Sequence, residues 1–343
     1  MKAQALVVDD SAFMRKLISE MIEESRVATV AGTARNGRDA LEKIALLQPD
    51  IVTMDIEMPE LDGLEALKII GERFDVPVII LSSHSAKGSQ ITIDALQMGA
   101  VDFVQKSAFG DQNGLARVRE ELREKLQAIL GTTETSQPAP PTVRPPDQRF
   151  RKGPQAPVGP LDAVVIGTST GGPKTLMQLI GGIRRKPSVP LFVVQHMPRE
   201  FTRSLAQRLD NHAICRVVEA SEGQNVVPGT IYLAPGDYHM EVVSGTIRLN
   251  QEPKLHGVRP AADVLFRSAA AAYGSRVLAL ILTGMGSDGT PGLREIKSRG
   301  GRVIAQDRAT SVIYGMPGSA VAAGVVDEEM SLDGIIEELN RIL

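Results

Sequence analysis

Residues 164–180 read VVIGTSTGGPKTLMQLI, and the architecture of the second half of the chain follows from this stretch. An unbroken apolar run ends at Gly167, a glycine-rich turn follows, and Pro173 opens a pattern of helical period. Continuous apolar runs of this length signal strands buried on both faces, and proline suits the first turn of a helix. The segment is therefore strand, tight turn, helix. The turn, Gly167-Thr168-Ser169-Thr170-Gly171, satisfies G-x-S-x-G. A serine on such a turn is held out of the sheet, beside backbone N–H groups and a helix N-terminus. That suits a nucleophile next to an oxyanion hole, and it suits a phosphate-binding loop equally well. The segment is not G-x-G-x-x-G, which weakens a dinucleotide site.

Outward from this turn the same rhythm recurs. PLFVVQH (190–196), RVLALILTG (276–284) and RVIAQD (302–307) read as buried strands, each followed by a helical pattern. GTIYLAP (229–235) and MEVVSGTIRLN (240–250) read as strands, the second turning at Ser-Gly, so an antiparallel edge hairpin is expected. A serine nucleophile needs a base, and there are five histidines. His196 ends the strand after the serine turn and is the best placed. His256, just before a helical pattern, is a substrate-binding or structural candidate. His212, His239 and His84 fit a helix end, a polar hairpin edge and the other half of the chain. Asp288, in the glycine-rich loop LTGMGSDG (282–289), is the candidate carboxylate to orient the base. Ser169, His196 and Asp288 thus lie past the carboxyl ends of separate parallel strands, where α/β sheets form their crevice. The order Ser, His, Asp differs from that of the α/β-hydrolases, which triads tolerate.

The first half alternates in the same way through five βα units, beginning with ALVVD (5–9) and including DIVTMD (50–55) and VPVIILSS (76–83). Asp9 and Asp10 end the first strand, Asp55 the third, Ser83 the fourth and Lys106 the fifth. Three carboxylates at one rim repel unless a cation joins them, and hard oxygen ligands with open water positions suit Mg²⁺. A carboxylate held there can take a phosphoryl group while a lysine offsets the added charge.

Between the halves, Gly131 to Pro160 is rich in Pro, Gly, Ser and Thr and has no apolar period, so it reads as a semi-extended linker. At 343 residues, two domains are expected. The single cysteine, Cys215, excludes a disulfide framework and a cysteine-cage zinc site. No apolar run approaches the roughly 20 residues of a membrane span, and the acidic start MKAQALVVDD does not fit a signal peptide, so a cytoplasmic location is expected. Residues 1–130 carry 15 Lys+Arg against 21 Asp+Glu, and the remainder 23 against 20. With 3% aromatic residues and no basic stripe, no nucleic-acid partner is expected. The rivals to a hydrolase are an anion-binding module and a dinucleotide-dependent oxidoreductase. The second lacks an acid on the next strand end, where His196 stands instead.

VVDDS (7–11), MDIEMPELDG (54–63) and FVQK (103–106) resemble the response-regulator receiver family. The resemblance implies Asp55 as phosphoacceptor, a Mg²⁺ site made by Asp10, Asp55 and the Glu57 carbonyl with support from Asp9, and a switch pair in Ser83 and Phe103. Ser107 stands where receivers usually carry proline after the lysine. GTSTGG, QHMP and LTGMGSDG, with HGVRPAADVLFRSAA and YGMPGSA, resemble the catalytic domain of the chemotaxis protein-glutamate methylesterases. That likeness implies an α/β fold with two doubly wound parallel-sheet domains: a flavodoxin-like receiver (1–130), a linker (131–160) and a Rossmann-like catalytic domain (161–343). It implies hydrolysis of glutamate γ-methyl esters, and deamidation of glutamines, on cytoplasmic helices of chemoreceptors, with a histidine kinase as phosphodonor and no cofactor for hydrolysis. By the same resemblance, Ser169 matches the nucleophile, His196 the base and Asp288 the orienting acid. The Met285 N–H is implied as an oxyanion donor, and Thr170 stands beside the nucleophile.

Overall fold

The computed structural model describes residues 2–82, 86–106, 112–133 and 160–343. Five parallel strands form the first sheet: β1 (Ala3–Val8), β2 (Ala28–Ala34), β3 (Ile51–Asp55), β4 (Val78–Ser82) and β5 (Asp102–Gln105). Their order is β2-β1-β3-β4-β5, a doubly wound sheet whose direction of winding reverses between β1 and β3. The helices α1 (Ala12–Ser25), α2 (Gly37–Leu47), α3 (Gly63–Arg73), α4 (Ala86–Met98) and α5 (Gln112–Thr133) follow the strands in turn. Their starts are written in the sequence. Ser11 accepts from Met14 N, Asn36 from Asp39 N, and Asp62 makes a capping box with Glu65. Helix α5 continues through Thr133, three residues into the stretch expected as linker; residues 134–159 lie outside the described residues.

The second sheet has seven parallel strands in the order β14-β13-β12-β6-β7-β9-β8. These are β6 (Ala163–Thr168), β7 (Leu191–Gln195), β8 (Arg216–Glu219), β9 (Thr230–Leu233), β12 (Val277–Ile281), β13 (Arg302–Gln306) and β14 (Glu328–Met330). Helices α6 (Gly172–Gly181), α7 (Arg199–Asp210), α8 (Ala262–Tyr273), α9 (Thr290–Ser298), α10 (Gly315–Ala322) and α11 (Leu332–Ile342) cover it. The strands from Ala163 to Thr168 and from Val277 to Ile281 are buried at every residue, which is why they carry no polar alternation. The expected antiparallel hairpin is present as β10 (His239–Val243) and β11 (Thr246–Asn250), but it forms a separate two-stranded sheet. GTIYLAP supplies β9, which joins the large sheet in parallel, between β7 and β8. From β6 the chain moves first to β7 on one side and later returns to β12 on the other, so the switch point of this sheet lies between β6 and β12.

The two sheets are joined by direct packing. Helix α4 lies against α7, and the Phe103 ring meets Phe201 with centroids 4.4 Å apart. Both rings are buried, and they belong to one continuous apolar cluster that also holds Leu96, Ala100, Met197 and Leu205. Ile313 and Met285 of the second half join the apolar cluster on the other side of the first sheet.

Candidate active site

Strand register brings the proposed triad together. Thr168 is paired with Gln195 across β6 and β7, and Gly167 with Ile281 across β6 and β12. Ser169 and His196 are therefore the next residues on neighbouring strands, at the switch point. The Ser169 N–H donates to Thr283 O, and the His196 N–H to Thr168 O. Gly284 is a tight approach: a Cβ there would lie 2.7 Å from Ser169 Cβ and 3.0 Å from its backbone nitrogen. Gly171 sits at φ +77 and caps α6 with no side chain, and the first N–H of that helix, on Gly172, donates back to Ser169 O at 2.8 Å.

The acid–base pair is explicit. His196 Nε2–H donates to Asp288 Oδ2 at 2.7 Å, so Nδ1 is the ring nitrogen left for the serine hydroxyl. Asp288 is 2% exposed. It also accepts from the N–H groups of Ala262 (2.6 Å), Asp263 (3.1 Å) and Gly289 (2.9 Å). Burial by itself would raise its pKa, but the bond and charge of His196 and the α8 N–H groups outweigh burial and hold it below the ordinary carboxylate value.

In the first half, Lys106 Nζ bridges Asp9 Oδ2 (2.8 Å) and Asp55 Oδ2 (2.6 Å). Carboxylate oxygens of Asp9, Asp10 and Asp55 lie within 4.8 Å of one another, a hard-donor set that fits a divalent cation. Burial is the main reason the Asp55 carboxyl is pushed up; Lys106 opposes this and Asp9 adds to it. Burial disfavours charge on Lys106, yet Asp55 and Asp9 outweigh it and raise its pKa.

The first half also touches the serine turn. Thr170 Oγ1–H donates to Asp102 Oδ2 at 2.6 Å, and the Gly171 N–H to Val101 O at 3.2 Å. Asp102 is further paired with Lys125, whose ammonium is buried and has its pKa pushed up: burial opposes this, but Asp102 and Glu121 prevail.

His196 and Asp288 thus meet, with Ser169 on the turn at the end of the neighbouring strand; Asp9, Asp10, Asp55 and Lys106 are likewise brought together. Glu57 follows two residues after Asp55 and is exposed. Met285 lies in the loop after β12, half-buried against the first half. Phe103 is 5% exposed and packed on Phe201. Thr170 is committed to Asp102. His256 Nε2 is paired with Asp263 Oδ2 at 2.9 Å. Ser83 lies outside the described residues, as do Ser107 and His84.

Sequence reasoning missed Gln195, whose Nε2 donates to both Ser169 O (2.9 Å) and His196 O (3.1 Å) and so ties the backbones of the two residues together. It also missed Thr283, whose hydroxyl donates to Thr170 O and accepts from Ile313 N. Gln195 opens QHMP and Thr283 stands in LTGMGSDG, both as polar residues at the ends of apolar strands, and that position was the available signal.

The family model for CheB methylesterase matches residues 164–339, and that for the response regulator receiver domain matches residues 5–119. The chain belongs to the CheB methylesterase family. A relative from Syntrophomonas wolfei, named protein-glutamate methylesterase/protein-glutamine glutaminase 1, is 45% identical over all of this chain and 99% of its own length. A relative of the same activity name from Pyrococcus abyssi is 41% identical, over 99% of this chain and 93% of its own. The crystal structure of the Thermotoga maritima CheB methylesterase catalytic domain is 42% identical and superposes with a TM-score of 0.52. That match covers 54% of this chain and all of the Thermotoga chain. Among the described residues, no helix is long and apolar enough to cross a membrane.

Proposed function

We propose that the chain is a phosphorylation-regulated, cytoplasmic serine hydrolase that demethylates glutamate γ-methyl esters, and deamidates glutamines, on the helices of methyl-accepting chemoreceptors. Its parts are a receiver (1–130), a linker (131–160) and a catalytic domain (161–343). The observation that carries the hydrolase is the His196–Asp288 pair at the strand end next to Ser169.

Ser169 Oγ attacks the ester carbonyl while His196 Nδ1 takes its proton. Asp288, held ionised by α8, keeps the imidazole in the tautomer that bears hydrogen on Nε2 and stabilises the imidazolium. Met285 N–H holds the oxyanion, with Thr170 beside the nucleophile, such a donor contributing about 10²–10³ in rate. His196 returns the proton to the leaving methanol, and a water then hydrolyses the acyl-enzyme by the same route. Ammonia leaves in place of methanol when the substrate is a glutamine. The serine chemistry needs no cofactor.

In the receiver, Asp55 is the phosphoacceptor, with a histidine kinase as donor. Asp10, Asp55 and the Glu57 carbonyl would hold Mg²⁺, which supplies charge neutralisation at the acceptor carboxylate. Asp9 and Lys106 support that site, with Ser83 and Phe103 as the switch pair. Regulation rests on β5. Its carboxyl end leads into Lys106, paired to Asp55, and its amino end carries Asp102, bonded to Thr170. Phosphorylation that changes the Lys106 pairing biases the receiver away from the serine turn.

The test is methanol release from a methylated receptor fragment by the full chain with a phosphodonor present. Wild type releases methanol and Ser169→Ala does not, with its melting temperature retained. Release by Ser169→Ala at the wild-type rate overturns the assignment.

A further inference from the structure

Beside the triad stands a second His–Asp pair with no part in the acyl-transfer steps. We propose that His256 is a positioning residue for hydrolysis, acting through Asp263 on Asp288; the role rests on Ser169, His196 and Asp288 being the triad.

The aim of Asp288 depends on the first turn of α8, because the Ala262 and Asp263 N–H groups grip one carboxylate oxygen each. That turn has no side-chain cap of its own, since its N-cap residue is Ala261. Two histidines hold it instead. His239 is buried, with Nε2–H donating to Pro253 O and Nδ1 accepting the Ala261 N–H. His256 works one residue further in, through Asp263. The Asp263 carboxylate is fully buried and spans the gap between α8 and α9: Oδ1 accepts the Gly292 N–H at 2.6 Å, and Oδ2 meets His256 Nε2 at 2.9 Å.

The arrangement also places two buried acids together. Ligand atoms of His256, Asp263 and Asp288 lie within 4.8 Å of one another. Carboxylates that close repel, and a buried one without a donor is costly. His196 serves Asp288; His256 serves Asp263, from the solvent edge. Without the imidazole, Asp263 has one donor fewer against the field of Asp288, and the turn that grips Asp288 loses an anchor. Backbone conformation supports a purpose for this side chain. His256 sits at φ 51 and is followed by Gly257 at φ 78. Left-handed backbone costs a non-glycine residue roughly 1 kcal/mol, so glycine would be the easier residue at 256 if only the turn mattered.

That same conformation makes a clean deletion possible. His256→Gly removes the imidazole while suiting the backbone, so folding is retained. The experiment measures kcat, KM and melting temperature in the full chain, phosphodonor present, with wild type and Ser169→Ala alongside. In His256→Gly, kcat is expected to fall about 10-fold or more, the scale seen when the hydrogen-bond partner that orients a metal-ligating histidine or carboxylate is lost. KM should stay within about twofold, because no substrate contact is lost. The site is partly open, so added imidazole should restore part of kcat. His256→Gln, whose Nε2 can reach Asp263, should keep most of it. An unchanged kcat in His256→Gly, or a rise in KM at constant kcat, overturns the positioning role, the latter in favour of a substrate contact. Failure of the hydrolase itself is separately visible, as no release by wild type or full release by Ser169→Ala.

Discussion

Glycine 284 marks how tightly single residues hold Ser169, the proposed nucleophile. A Cβ at that position would stand 2.5 Å from Met316 Sδ as well as against Ser169, and the Ser169 backbone has no room to yield. Gly284→Ala is therefore expected to cost about 1–3 kcal/mol of stability and to lower kcat by about 10²-fold for an ångström of serine displacement. A melt and a rate measurement check both. Asp288 gives a pH prediction. Its carboxyl is depressed below 3.8 in the folded chain. A depressed carboxylate contributes stability above its unfolded pKa and loses it as pH falls through the folded value. The stability gap between wild type and Asp288→Asn should accordingly narrow as pH falls below about 4, as read by urea unfolding at pH 7 and at pH 3. Asp263 runs the other way: burial raises its pKa, so its contribution is lost as pH rises. Asp288 adds to that rise, so the difference between wild type and variant reports the two acids together.

Between elements, the contact of α4 with α7 is the seam through which the proposed control would act. Arg208 on α7 reaches Asp94 Oδ1 (3.3 Å) and Gln97 Oε1 (3.0 Å) on α4. These groups are about one-third exposed, so the pair contributes no more than about 1 kcal/mol. Arg208→Ala should raise the unphosphorylated rate by up to about fivefold and leave the rate of the catalytic half alone unchanged. An unphosphorylated rate identical to wild type would remove α7 from the control of access. The elements themselves were legible from local pattern. The βα alternation, the caps at Ser11, Asn36 and Asp62 and the proline-led start of α6 all follow from residues within a few positions of one another. The placing of the hairpin was not. Alternation shows that β10 and β11 pair, but their sheet is separate because β9 and β8 complete the large sheet on that side.

For the whole molecule, the two halves share an apolar cluster and a hydrogen bond onto the residue next to the nucleophile. Residues 161–343 alone should hydrolyse faster than the unphosphorylated full chain. Equal rates, measured as methanol release at matched concentrations, would mean that the receiver does not restrain the site.

Strands, turns and the kinds of side chain that end them were legible along the chain, because apolar period, glycine and proline act over a few residues. Local pattern placed Ser169, His196 and Asp288 past strand ends, and Asp9, Asp10, Asp55 and Lys106 likewise. Which of these groups face each other was settled by folding. Asp102 finds Thr170 across 68 residues, and Gln195 reaches back 26 to brace the serine. His256 meets Asp263 in the first turn of α8, whose own N–H holds Asp288. Strand order and side-chain aim come from packing between distant segments, and no local pattern encodes them.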